Sequence, residues 1–91
     1  MNSSVIQIYL PPSLQPQVDN KKQIEICGQT IGECLQNLVG QYHSLEKEIF
    51  DQRRRVQKGL SLYLNGENIA DFSIPVKDGD KLYIVNILVG G

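Results

Sequence analysis

The residues of this chain best suited to chemistry are its last two. KLYIVNILVGG, Lys81 to Gly91, runs out of an apolar stretch into Gly90 and Gly91 with a free carboxylate on Gly91. Glycine has no Cβ, so it can enter a narrow channel, adopt φ values closed to other residues, and leave its carbonyl carbon open to attack. A carboxylate that a second enzyme must adenylate and then couple to a nucleophile makes those demands. The ordinary alternative is a Gly-Gly end that frays, as chain ends do. No other group offers a catalytic set. His43 is the single histidine, and it lacks the partners that a metal site or a triad would need. Cys27 and Cys34 stand outside any His-rich or Cys-x-x-Cys context, so both read as structural. Arg53, Arg54, Arg55 and Lys58 form the one dense charge run. It reads as a solvated loop, with a docking patch for an acidic surface as the alternative. Without interleaved aromatics it does not suggest nucleic-acid binding.

Composition narrows the class. Ninety-one residues with 41% hydrophobic content and a net charge of −1 fit one small globular domain, residues 1–91, with no overall pull toward nucleic acid or membrane. No apolar run is long enough to span a bilayer, and MNSSVIQIYL lacks the basic start and long apolar region of a signal peptide. A cytoplasmic location is the expectation.

The elements that must position the terminus follow from periodicity. Val5–Leu10 reads as a strand with Ile6, Ile8 and Leu10 on one side and Val5, Gln7 and Tyr9 on the other. A loop bearing Pro11, Pro12 and Pro16 follows, and then Lys22–Cys27 alternates with Ile24 and Ile26 inward. These two strands are expected to pair antiparallel. Thr30 opens the main helix, with Glu33 three residues on as a capping box. Ile31, Cys34, Leu35, Leu38, Val39 and Tyr42 recur at the spacing of one apolar face. Gly32 and Gly40 weaken that helix intrinsically, so packing must hold it. Ser44 is the expected cap of a short second helix carrying Leu45, Ile49 and Phe50. Leu60–Leu64 alternates again, Asn65-Gly66 signals a tight hairpin, Asn68–Phe72 is a weak strand, and Asp78-Gly79-Asp80 turns into the last strand. There Leu82 and Ile84 point inward, and Lys81, Tyr83 and Val85 outward.

That order, strand–strand–helix–short helix–strand–weak strand–strand, predicts an α+β fold. A mixed sheet of four to five strands would be covered on one face by the main helix, with the first and last strands parallel at its centre. Residues 86–91 would leave it as a flexible tail. Val5, Gln7, Tyr9, Tyr63, Tyr83 and Val85 would share the face turned away from the helix. Three tyrosines and two valines there read either as simple strand preference or as an amphipathic docking patch.

With these elements in view, the chain resembles the β-grasp sulfur-carrier family, the MoaD, ThiS and CysO group, which is ubiquitin-like in fold. The resemblance spans nearly the whole chain. Its specific part is LYLNGENIADFSIPVKDGDKLYIVNILVGG, Leu62 to Gly91, supported by HSLEKEIFD, His43 to Asp51. The long loop at Pro11–Lys22 leans toward MoaD-like or CysO-like carriers and away from ThiS-like ones. The resemblance implies a protein that is substrate rather than enzyme, or the small subunit of a synthase such as molybdopterin synthase. A ubiquitin-activating-type enzyme would spend ATP to adenylate Gly91, with Gly90 threading the tail into its site. A sulfur donor would leave a thiocarboxylate, and a sulfur-accepting synthase of molybdopterin, cysteine or thiamine biosynthesis would consume it. The chain itself would bind no cofactor or metal. Tyr9, Tyr63, Tyr83 and Val85 would meet the partner. The alternative is a non-catalytic β-grasp interaction module, or a modifier conjugated through Gly91.

Overall fold

The computed structural model describes residues 3–87. Five strands form one mixed sheet: β1 (Ser4–Tyr9), β2 (Gln23–Gly28), β3 (Leu60–Leu64), β4 (Glu67–Ile69) and β5 (Lys81–Asn86), in the order β2-β1-β5-β3-β4. β1 pairs antiparallel with β2 and parallel with β5, and β5 pairs antiparallel with β3. The parallel central pair is what the element order predicts. Both of its strands contribute inward residues that are fully buried, Ile6 and Ile8 from β1 and Leu82 and Ile84 from β5.

α1 (Ile31–Gln41) closes this face with Ile31, Cys34, Leu35, Leu38 and Val39. They share one cluster with Ile24, Ile26 and Leu62. Leu64, expected in the core, is only partly buried against it, since it lies at the hairpin end of β3. The first three N–H groups of α1 are all engaged. Ile31 and Gly32 donate their N–H groups to the carbonyls of Ile74 (2.9 Å) and Phe72 (2.9 Å), and Glu33 donates to Thr30 Oγ1 (3.1 Å). Glu33 reaches one residue further back than a capping box requires. Its carboxylate accepts from the Gln29 N–H at 2.7 Å, and not from that of the cap residue Thr30. Gly32, a weak helix former, is explained by close approach: a Cβ there would sit 3.1 Å from Phe72 Cβ and 3.2 Å from its carbonyl oxygen.

Three further readings are corrected. Ser44 caps nothing; it lies in a 3-10 turn, His43–Leu45, that runs directly into α2 (Glu46–Ile49), so the helix start is already hydrogen-bonded. β4 is Glu67–Ile69 and not Asn68–Phe72. Asn65 (φ 52°) and Gly66 (φ 89°) make a two-residue turn, which forces Glu67 opposite Leu64. Asp71 then ends the strand by accepting the backbone N–H (2.8 Å) and hydroxyl (2.7 Å) of Ser73. Those two bonds, the hydroxyl's first, hold the Asp71 carboxyl below the usual carboxylate range. Finally, the proline-bearing loop is not a bare connection. It holds a 3-10 turn, Gln15–Val18, and buries Leu14 and Val18 in the core.

The two turn motifs tie the lower ends of the central strands together. Asp78 Oδ1 accepts the Val5 N–H (2.7 Å), and Gly79 donates to the Val5 carbonyl (2.9 Å). Asp80 accepts from Asn65 Nδ2 (3.0 Å) and from the Lys77 N–H (2.8 Å). β5 is thereby fixed at its start.

Candidate partner-docking face and tail root

The outward residues of the sheet line up by register. Gln23 lies opposite Tyr9, Tyr9 opposite Tyr83, Tyr83 opposite Tyr63, and Tyr63 opposite Asn68, so one row crosses all five strands. Three tyrosines occupy its centre. The Tyr9 and Tyr83 rings are stacked, with centroids 4.4 Å apart and planes 10° from parallel. Tyr63 and Tyr83 are each 37% exposed, ample surface for an aromatic in a folded domain. Val85 lies opposite Ser61 in the next outward row toward the end of β5 and is half-buried. In the other direction the face turns polar. Gln23 Nε2 donates to Gln7 Oε1 (3.2 Å), and Gln7 Nε2 donates to Glu25 (3.3 Å).

A shallow groove adjoins the tyrosine row, lined by Tyr9, Pro11, Pro12, Tyr83, Val85 and Asn86. It leads to the tail root. Asn86, read from sequence as the first tail residue, is instead the last residue of β5, opposite Leu60. Beyond it the Ile87 N–H donates to the Gly59 carbonyl at 2.8 Å, and the Ile87 side chain is 48% exposed. Gly90 and Gly91, the expected activation site, lie outside the described residues. The structure thus brings Tyr9, Tyr63, Tyr83 and Val85 onto one face with the root of the tail beside them. Ser13, Gly59 and Asn86, which hold that root, carried no sequence signal.

The other candidates fall into structural places. Cys27 is exposed on the edge strand and Cys34 is buried, its thiol pushed up to about 11 by burial and then by the Glu33 charge. It acts as the small hydrophobe the sequence suggested. His43 is exposed. The arginine run is a solvated loop built around Asp51, whose Oδ1 accepts the N–H groups of Arg53 (2.8 Å) and Arg55 (2.9 Å). The Arg55 N–H first, and then that of Arg53, hold the Asp51 carboxyl low. Arg54 is already engaged, paired with Glu46 at 2.6 Å and lying over the Phe50 ring at 5.1 Å. Among the described residues, no helix is long and apolar enough to cross a membrane.

Comparison with known proteins now decides the family. A model of the ThiS family matches residues 8–91. The chain belongs to the ThiS family. Among curated relatives of this ThiS-family chain is the sulfur carrier protein CysO of Mycobacterium tuberculosis, 21% identical, the match covering 94% of this chain and 98% of the relative. Among solved structures, the Amycolatopsis orientalis BexX/CysO complex contains a chain with a TM-score of 0.84 at 21% identity, covering 94% of this chain and 99% of that one. The small archaeal modifier protein 1 of Methanosarcina acetivorans gives 0.83 at 19% identity over the full length of both. At such identities the structural likeness establishes a shared fold, the β-grasp.

Proposed function

We propose that this ThiS-family chain is a sulfur carrier whose Gly91 carboxylate is the working group. The observation that carries the reading is the match of residues 8–91 to the ThiS family, which runs through the terminal Gly90-Gly91. It is supported by the sulfur carrier among its relatives and by the docking face beside the tail root. In this reading the chain is a co-substrate. A ubiquitin-activating-type enzyme binds the sheet face, and ATP is its cofactor, not this chain's. One Gly91 carboxylate oxygen attacks the α-phosphorus of ATP, and pyrophosphate leaves. Sulfur delivered at the sulfide level then attacks the acyl carbon and AMP departs, which leaves a thiocarboxylate. The partner supplies the donors that stabilise the developing oxyanion. Four residues follow Ile87, so Gly91 can lie at most about 14 Å beyond it. The partner's active site must lie within that distance of the docked tail root. A CysO-like or MoaD-like role, with the thiocarboxylate passed to a synthase in the cytoplasm, accords with the relatives and with the long Pro11–Lys22 loop.

The test is the intact mass of the chain isolated from its own cells. A fraction should carry sulfur in place of one oxygen, located by fragmentation to Gly91. Uniformly unmodified carboxylate in chains taken from sulfur-replete cells would count against the carrier role. The likeness to a small archaeal modifier favours a second reading, conjugation through Gly91, which the same spectra would report as an isopeptide-linked adduct on a lysine.

The docking face has its own expected result. Tyr63→Asp or Val85→Asp places a charge in the aromatic patch and should weaken binding to the activating enzyme by tenfold or more, about 1.4 kcal/mol or greater. The fold should be retained in both, with a loss of about 1 kcal/mol, the span of strand preference, at exposed Tyr63 and a larger one at half-buried Val85. If titration calorimetry found binding unaltered in these variants but lost on replacing Arg53 and Arg55, the docking surface would be the arginine loop.

A further inference from the structure

The end of β5 is held differently on its two sides. Its ladder with β3 continues to Asn86, opposite Leu60, but its ladder with β1 stops at Tyr83, opposite Tyr9. Beyond Tyr83 the neighbouring chain is the Pro11–Pro12 turn, and proline has no N–H to donate to a ladder. A side-chain pair stands where the next rungs would be. Asn86 Nδ2 donates to Ser13 Oγ at 3.0 Å, and the Ser13 hydroxyl faces Asn86 Oδ1 at 3.4 Å.

Ser13 is exposed, but the turn around it fixes its position. It sits inside a turn closed by the Leu14 N–H on the Pro11 carbonyl (2.9 Å) and by the Gln15 N–H on the Pro12 carbonyl (3.3 Å). Pro11 on one flank and Leu14 on the other are buried, and Gln15 Nε2 binds back to the Leu10 carbonyl at 3.0 Å. Prolines at 11, 12 and 16 narrow what the loop can do. On the opposite side of the same strand end, the Gly59 carbonyl holds the Ile87 N–H at 2.8 Å. The last described residues are therefore gripped from both flanks, one residue apart.

We propose that Ser13 and Asn86 are positioning residues for activation of the Gly91 carboxylate. By clamping the tail root to the proline-bearing loop, they set the point and direction from which the last four residues enter the partner's site. This rests on the carrier reading above. It gives that loop a role beyond connecting β1 to β2, and it separates two jobs on one molecule. The tyrosine row supplies affinity, and the clamp supplies alignment at the reacting carbon, where small misplacements are costly.

The experiment compares Ser13→Ala, Asn86→Ala, the double variant and Ser13→Thr as substrates of the activating enzyme that supports pyrophosphate exchange with the unmodified chain. Each single change should lower kcat by about two- to tenfold, the range one neutral hydrogen bond commands, with the docking Kd unchanged. The double variant should be no worse than either single, and Ser13→Thr, which keeps the hydroxyl, should retain the rate. Without any partner, amide exchange at Ile87 should quicken several-fold in Ser13→Ala while that at Ile84 holds. Unaltered kcat in Ser13→Ala, additive losses in the double variant, or a loss residing wholly in Kd would overturn the positioning role. If unaltered chain supported no exchange with any adenylating enzyme of its own cell, the carrier reading would fall and the positioning role with it. Exchange at Ile87 would still decide whether the clamp holds the root.

Discussion

A chain extended by one residue after Gly91, or lacking Gly91, is expected to lose ATP-dependent activation altogether while keeping its fold. The reasoning is stereochemical. On the carrier reading a Gly91 carboxylate oxygen must meet the α-phosphorus of ATP, and the residue behind it would pass a channel narrow enough to exclude water from the acyl-adenylate. An added residue moves the reactive carbon by about 3.5 Å and places a Cβ where glycine had none. Misplacement by about 1 Å can already cost a hundredfold, so the exchange signal should fall below detection. Circular dichroism and the denaturation midpoint should not change, because β5 ends at Asn86 and the core cluster of the described residues lies upstream of it. An extended chain that exchanged pyrophosphate at the normal rate would defeat the terminal-carboxylate mechanism.

The second large effect is in the core. Leu35 is fully buried on α1, among residues of the sheet's inner face. Leu35→Ala removes that packing and leaves a cavity that a rigid sheet cannot fill, at a cost of about 2–5 kcal/mol. Total stability at this size is roughly 5–14 kcal/mol, so the substitution consumes a large share. For a domain of this length each 1 kcal/mol shifts Tm by about 4–8 °C. Thermal unfolding should therefore drop by about 10 °C or more, and an unchanged Tm would mean that the helix presents a different face.

Most of this architecture was legible because it is written in local periods. Alternation in Val5–Leu10, Lys22–Cys27, Leu60–Leu64 and Lys81–Val85 assigned the inward side chains while leaving the side of Cys27 open, and every inward residue so assigned is buried or half-buried. What failed was set by a neighbour more than by a pattern. Glu33 bonds Gln29 where the chain on both sides of Thr30 is tied to the Ile74–Val76 segment, by Ile31 N–H to the Ile74 carbonyl and Val76 N–H to the Gln29 carbonyl. β4 shifted because a two-residue turn dictates its register. Leu14 and Val18 are spaced as one helical face, but the prolines between and before them masked it. For the site, alternation could place each tyrosine outward, but only strand registers far apart in sequence could set three of them in one row. Ser13 and Asn86 lie 73 positions apart, and nothing local announces such a pair.

The position of β5 in the sheet has a bearing on how the chain is made. β5 is inserted between β1 and β3, so until it arrives there are two separate hairpins, β1–β2 under α1 and β3–β4 beyond it. Neither can bury its inner face fully, and the inner edge of β1 stays open. On the ribosome the sheet must wait for the strand that emerges last. A product broken off before Lys81 lacks Leu82, Ile84 and Tyr83, so it has neither a closed core nor a complete tyrosine row. On the carrier reading, completion of the fold and availability of the carboxyl end would thus be joined in one segment, and a premature product would offer an activating enzyme neither.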